Sequence, residues 1–251
     1  MIILSGLTQR RSELAGRFLE SGAVDVIWKS VSMMDIDGIA NTIIEKVLFW
    51  GHPVKVSDLP EPEEPDISPY DVVMLTFGDG RAYALMHTLC ELPPTMPPVV
   101  VAAQAPTACI NGLVRVIGRM TGRRVVAASE DRPLEPGQIV LVAGATRYQL
   151  VQNGDTFALG KTTAVLTHGA IFDPLYRGFV RAGRNVLCIA LSGTSVDWKH
   201  AEPPHPERTQ LLVQTPQTCT DPDGCRSLID TVDFAQPVGF ATLRKALRFR
   251  S

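Results

Sequence analysis

DVVMLTFGDGRAYALMHTLCELPPTMPPVVVAAQ, residues 71–104, decides the fold class. Two apolar runs, Val72 to Thr76 and Val99 to Ala103, bracket a stretch from Arg81 to Leu92 with apolar residues at helical spacing. Neither run alternates polar with apolar, so each reads as a strand covered on both faces, which is the pattern of parallel sheets flanked by helices. A second helical stretch, Thr107 to Thr121, follows the second run. Strands alternating with helices in this way predict an α/β fold built on a doubly wound, mainly parallel sheet.

Beyond residue 123 the pattern changes. Short β-prone segments (Val125 to Ala128, Gln138 to Ala143, Tyr148 to Val151, Thr156 to Leu159) are separated by Pro136-Gly137, Gly144 and Asn153-Gly154-Asp155, the punctuation of hairpins. An antiparallel excursion is therefore expected to interrupt the parallel sheet over residues 124–160. A helix from Pro174 to Ala182 and a strand from Asn185 to Leu191 then resume the alternation, and Phe240 to Leu247 reads as a last helix.

Upstream of residue 71 the composition shifts. Pro53, Pro60, Pro62, Pro65 and Pro69 are interspersed with Asp58, Glu61, Glu63, Glu64 and Asp66, a stretch that can neither hold a helix nor complete a ladder and reads as an extended linker. Before it lies a strand, helix, strand, helix pattern: Met1 to Leu4, Gln9 to Ser21, Ala23 to Trp28 and Ile36 to Phe49. The expected organisation is an N-terminal piece over 1–50, a linker over 51–70 and the main domain over 71–251.

Composition narrows the function classes. The 251 residues carry 24 basic and 26 acidic side chains and are 45% hydrophobic, which supplies a core but no electrostatic drive toward nucleic acid. The longest apolar runs fall well short of the roughly 20 residues of a membrane span, and the opening apolar run is broken at once by Ser5-Gly6, so neither membrane insertion nor an export signal is expected. Five scattered cysteines, Cys90, Cys109, Cys188, Cys219 and Cys225, fit reduced thiols in a cytoplasm and lack the paired spacing of a zinc site. No metal or cofactor is expected.

In an open parallel sheet, reactive groups gather beyond the carboxyl ends of the strands. Three loops there carry polar residues: Phe77-Gly78-Asp79-Gly80, Gln104-Ala105-Pro106 and Ser192-Gly193-Thr194-Ser195-Val196-Asp197. The first looks like a phosphate-cradling turn, yet it lacks the full glycine fingerprint and the lysine of a P-loop.

With these loops, the segment Glu130-Asp131-Arg132-Pro133-Leu134-Glu135-Pro136-Gly137 resembles the bacterial chemotaxis protein-glutamate methylesterases, the CheB-type response regulators, whose catalytic domain carries an acidic-Gly-x-Pro-Leu-x-Pro-Gly segment before a hairpin. Phe172-Asp173-Pro174-Leu175-Tyr176 and Leu191-Ser192-Gly193 are similar to further segments of that domain, and the resemblance runs along most of residues 70–240. In the N-terminal piece, Ser5-Gly6-Leu7-Thr8-Gln9 and Glu20 to Lys29 are similar to the last third of the family's receiver domain, and Glu45-Lys46-Val47 to the end of its linker helix. Ser5 then matches the switch hydroxyl and Lys29 the phosphate-contacting lysine, and the resemblance makes the N-terminal piece a partial receiver.

The resemblance implies a catalytic serine in a Gly-Ala-Ser-Thr-Gly-Gly loop, a histidine in Gln-His-Met-Pro and an aspartate in Gly-Met-Gly-x-Asp-Gly. Aligned on Leu92-Pro93, the loop falls on Thr76 to Arg81 and places Gly78 at the nucleophile. Aligned on Pro106 and on Ser192-Gly193, the base position is Gln104, the aspartate is Asp197 and the oxyanion-hole methionine is Thr194. Glycine has no nucleophile and glutamine is no base, so two of three triad members are replaced in kind. The resemblance therefore implies a chemosensory protein that binds methyl-accepting receptors or other pathway components without hydrolysing them. Two other readings stay open: an ester hydrolase or glutamine deamidase using Asp79, Ser192 or His168 as substitutes, and a relic without a selected role.

Overall fold

The computed structural model describes residues 1–5, 17–18, 21, 23, 25–28, 40, 43–44, 47, 70–77, 82–92, 95–103, 107–143, 148–154, 156–162, 173–191, 206–216, 222–231 and 235–238. Near the N-terminus, β1 (Ile2–Ser5) pairs in parallel with β2 (Asp25–Trp28). The helices expected over 9–21 and 36–49, the proline-rich stretch 51–69 and the helix over 240–247 fall largely or wholly outside the described residues.

Among the described residues the main sheet has seven strands, all parallel to their neighbours. They are β3 (Val72–Phe77), β4 (Val99–Ala103), β5 (Arg124–Ala127), β7 (Gln138–Ala143), β10 (Val186–Ala190), β11 (Thr209–Gln214) and β12 (Ala235–Val238). Their spatial order is β12-β11-β10-β3-β4-β7-β5. Helix α1 (Ala82–Glu91) links β3 to β4, and α2 (Thr107–Thr121) leads from β4 to β5. On one face of the sheet, Val73, Leu75, Val99, Val101, Ile139 and Leu141 pack against Leu85, Met86 and Leu89 of α1 and Ile110 and Ile117 of α2.

The opposite face is covered differently. There Val72, Met74, Val100, Val140, Cys188 and Leu211 meet α3 (Asp173–Arg181) through Leu175, Tyr176 and Phe179, and α4 (Pro222–Thr231) through Cys225 and Leu228. These strand residues alternate faces along each unbroken apolar run, and both alternating sets are buried, as the sequence pattern requires.

The antiparallel part is a three-stranded sheet, β6 (Arg132–Pro133), β9 (Thr156–Lys161) and β8 (Tyr148–Asn153), in that spatial order. Asn153 pairs with Thr156 across the turn, and Gly154 takes φ 62°, a conformation that the glycine of Asn-Gly-Asp adopts without strain. Tyr148 donates from its hydroxyl to the Ala128 carbonyl at 3.0 Å, tying this hairpin to the segment after β5.

Three expectations need correction. The segments around Val125 and Ile139 are not part of the antiparallel excursion: β5 and β7 pair with each other in parallel, from Arg124 opposite Gln138 to Ala127 opposite Leu141, and belong to the main sheet. Turn residues between two strands mark a change of direction but not the partner strand. Second, β11, α4 and β12 were not expected, although Leu211-Leu212-Val213 is a buried apolar run. Third, Cys90, Cys109 and Cys188 are thiols outside any disulfide, but Cys225 is disulfide-bonded. An odd cysteine count speaks against a framework of bridges, not against a single one.

Candidate active site at the switch point of the sheet

Winding reverses at β3. From there the chain passes to β4, crosses to β5 at the far side and comes back to β7 between them, then returns to lay β10 on the other side of β3 and runs outward through β11 and β12. Such a reversal leaves a crevice beyond the carboxyl ends of the two strands that flank it, because the connections on either side diverge.

The register places three strand ends at one level there. Phe77 of β3 is opposite Ala103 of β4, and Thr76 is opposite both Ala102 and Ala190. The Leu191 amide donates to the Thr76 carbonyl at 3.1 Å, which carries the β10 ladder one residue further. So the chain leaves the sheet after Phe77, Ala103 and Leu191 on three adjacent strands spaced about 4.8 Å apart. The next residues in the chain are Gly78, Gln104 and Ser192. At the opposite end of these strands, the Asn185 amide donates to the Asp71 carboxylate and the Asp71 amide to the Asn185 carbonyl, each at 2.8 Å, which locks β10 to β3 in this register.

Gly78, Asp79, Gln104, His168, Ser192, Thr194 and Asp197 lie outside the described residues, as does Lys29. Ser5 is described: it ends β1, is buried, and faces Trp28 across the pair, one residue before Lys29. Among the described residues no three His, Cys, Asp or Glu side chains converge as a metal site, and no described helix is long and apolar enough to cross a membrane.

The rung below the three strand ends is uncharged. On the face shared with α3 and α4 it reads Val213, Ala190, Thr76, Ala102, Val142, in register across five strands. Thr76 is 2% exposed, and its hydroxyl oxygen has no hydrogen-bond partner. An unpartnered buried hydroxyl costs about 1–3 kcal/mol, so this position is unfavourable for stability. Thr76 was not singled out from sequence. Its signal was a hydroxyl closing an otherwise apolar run, at the place where the resembling loop begins with glycine. Two rungs lower on the same face side, burial pushes the Cys188 thiol well above the ordinary thiol range, which leaves it neutral and inert.

Residues 73–242 match the family model described as CheB methylesterase. The chain is 26% identical over 208 residues to protein-glutamate methylesterase/protein-glutamine glutaminase 2 of Pseudomonas aeruginosa, covering 78% of this chain and 60% of that protein. It is 26% identical over 207 residues to protein-glutamate methylesterase/protein-glutamine glutaminase 1 of Caulobacter vibrioides, with the same coverage of 78% and 60%. The fold is similar to the crystal structure of the Thermotoga maritima CheB methylesterase catalytic domain, with a TM-score of 0.57 at 18% identity, over 71% of this chain and 97% of that one. The chain thus spans about 60% of the length of these curated relatives.

Proposed function

The chain belongs to the CheB methylesterase family, and on that premise we propose that it is a chemosensory protein that engages methylated receptors by binding and does not hydrolyse them. One observation carries the reading. The strands β3 and β4 end side by side at Phe77 and Ala103, and the residues that follow are Gly78 and Gln104, where the family pattern has the nucleophile and the base. A triad without nucleophile or base loses on the order of 10⁶ in rate, and Asp197 has nothing to orient. The segment 1–50 is a receiver-like fragment in this proposal, with Ser5 and Lys29 as its remnants, and 51–70 is the linker to the main domain.

Methanol release from a methylated receptor tests the proposal. The unmodified protein releases none above background. Gly78→Ser or Gln104→His alone does almost nothing, because an unactivated serine and a base without a nucleophile are each ineffective, whereas the double variant recovers measurable release. Recovery stays partial, since Thr194 replaces a residue that shapes the oxyanion hole. Release by the homogeneous unmodified protein that disappears on Asp79→Asn or Ser192→Ala sinks the binding reading in favour of a rearranged hydrolase.

A further inference from the structure

We propose that Cys219 and Cys225 form a reversible dithiol–disulfide pair, oxidised and reduced by small thiols and disulfides of the glutathione class, which pins the start of α4 in one state and releases it in the other. The inference does not depend on the receptor-binding reading above. Cys225 is disulfide-bonded and buried, while Cys90, Cys109 and Cys188 are thiols outside any disulfide. The chain has five cysteines, which leaves Cys219, outside the described residues, as the partner.

Three observations mark this bridge as exchangeable. It encloses only the five residues Thr220 to Gly224, and the constraint that a bridge places on the unfolded chain is least for a short loop. The other three cysteines are buried in thiol form, so oxidation is selective for one pair and the fold does not depend on a framework of bridges. Cys225 is the fourth residue of α4 and closes its first turn, where backbone N–H groups and the positive end of the helix dipole stabilise charge on a departing sulfur. Cys188 shares a core cluster with Cys225, but burial pushes its thiol well above the ordinary range, so it stays neutral and takes no part in exchange.

Burial of Cys225 directs attack to the Cys219 sulfur. A small thiolate bonds to Cys219 Sγ as the bond to Cys225 breaks, and Cys225 leaves as a thiolate that takes up a proton. A second small thiolate attacks the small-molecule sulfur of this mixed disulfide and releases Cys219, which is protonated in turn. Two electrons and two protons pass to the protein for each small disulfide formed, and glutathione disulfide as oxidant restores the bridge by the reverse steps. Reduction unties α4 from the connection that follows β11, and α4 then keeps its place only through apolar contacts such as those of Cys225 and Leu228 with the core.

The full-length protein, equilibrated without denaturant in glutathione buffers of stepped reduced-to-oxidised ratio, provides the test. Samples are quenched in acid, alkylated after denaturation, and read by intact and peptide mass. The expected result is three labelled thiols at the oxidised end and five at the reduced end, in one step, with both new labels on Cys219 and Cys225 and a return to three when glutathione disulfide is added. In hydrogen exchange the α4 amides are expected to exchange about tenfold faster in the reduced protein. Cys219→Ala, which leaves the buried Cys225 in place, is expected to exchange at that faster rate in both buffers. A bridge that survives excess reduced glutathione until the protein is unfolded is a structural staple and overturns the inference. So does pairing of Cys225 with a cysteine other than Cys219, or α4 exchange that is the same in the oxidised and reduced protein.

Discussion

At the scale of single residues, sign is more informative than size. Gly178 lies inside α3, where alanine ordinarily stabilises a helix by about 1 kcal/mol. Here a Cβ on Gly178 would stand 2.7 Å from the Leu150 Cβ of β8, closer than two such atoms approach. Helix and hairpin must then separate, and Gly178→Ala is expected to destabilise the protein by about 1–3 kcal/mol in urea unfolding. A stabilised variant refutes the close packing. Cys188 supplies a second sign test. Its folded thiol is raised by burial, so the stability it contributes is fully present below the unfolded thiol value, about pH 8.5, and is lost as pH rises above it because only the unfolded chain can ionise. The stability difference between the protein and Cys188→Ala is therefore expected to be flat up to about pH 8 and to shrink by about 1.4 kcal/mol per pH unit beyond pH 9. Neither residue announces itself in sequence. A glycine in a helical stretch looks like a flaw until the hairpin it admits is known, and a cysteine in an apolar run looks like any other small hydrophobe.

Elements were legible where burial alone dictates the pattern. β3, β4 and β10 are unbroken apolar runs because both faces are covered, and α2 shows an amphipathic stripe because one side is, so their limits fell within a residue or two of the expectation. Pairing is another matter. Val125 and Ile139 are opposite one another in a parallel ladder, but a β-prone segment carries no mark of which strand it will meet, and the crossover through β6 was taken for a hairpin turn. β11, α4 and β12 went unread because proline and charged residues surround a core contribution only six residues long. One side-chain pair shows how these elements are held. The Tyr176 hydroxyl of α3 and the Thr209 hydroxyl at the start of β11 are 3.0 Å apart and buried. Removing either hydroxyl takes a buried hydrogen bond from the other, so Tyr176→Phe and Thr209→Val are each expected to cost about 1–2 kcal/mol, while the double variant costs clearly less than their sum. Additive costs in denaturant unfolding contradict a direct bond.

For the whole molecule, the site was legible as a place before it was legible as chemistry. Loops after apolar runs point to a crevice in any open parallel sheet, and the register brings the residues before Gly78, Gln104 and Ser192 to one level. What sequence spacing could not convey is the rung beneath, since Ala102, Ala190 and Thr76 come from three distant segments and become neighbours only through strand order. Strand order also sets how stability is distributed. Among the described residues β12 is an edge strand paired only with β11, and α4, which covers that half, holds the disulfide-bonded Cys225. With three of the five cysteines outside any disulfide, alkylation of the denatured, unreduced protein is expected to modify three thiols, and five after reduction. Breaking the bridge removes a constraint worth on the order of 2 kcal/mol, and the effect should be felt first where the sheet has fewest neighbours. Hydrogen exchange of the reduced protein is expected to lose protection across α4 and β12 while β3, β4 and β7, each flanked on both sides, keep theirs. Five reactive thiols before reduction would remove the bridge. A uniform loss of protection would show instead that the sheet opens as one unit, with the edge no weaker than the centre.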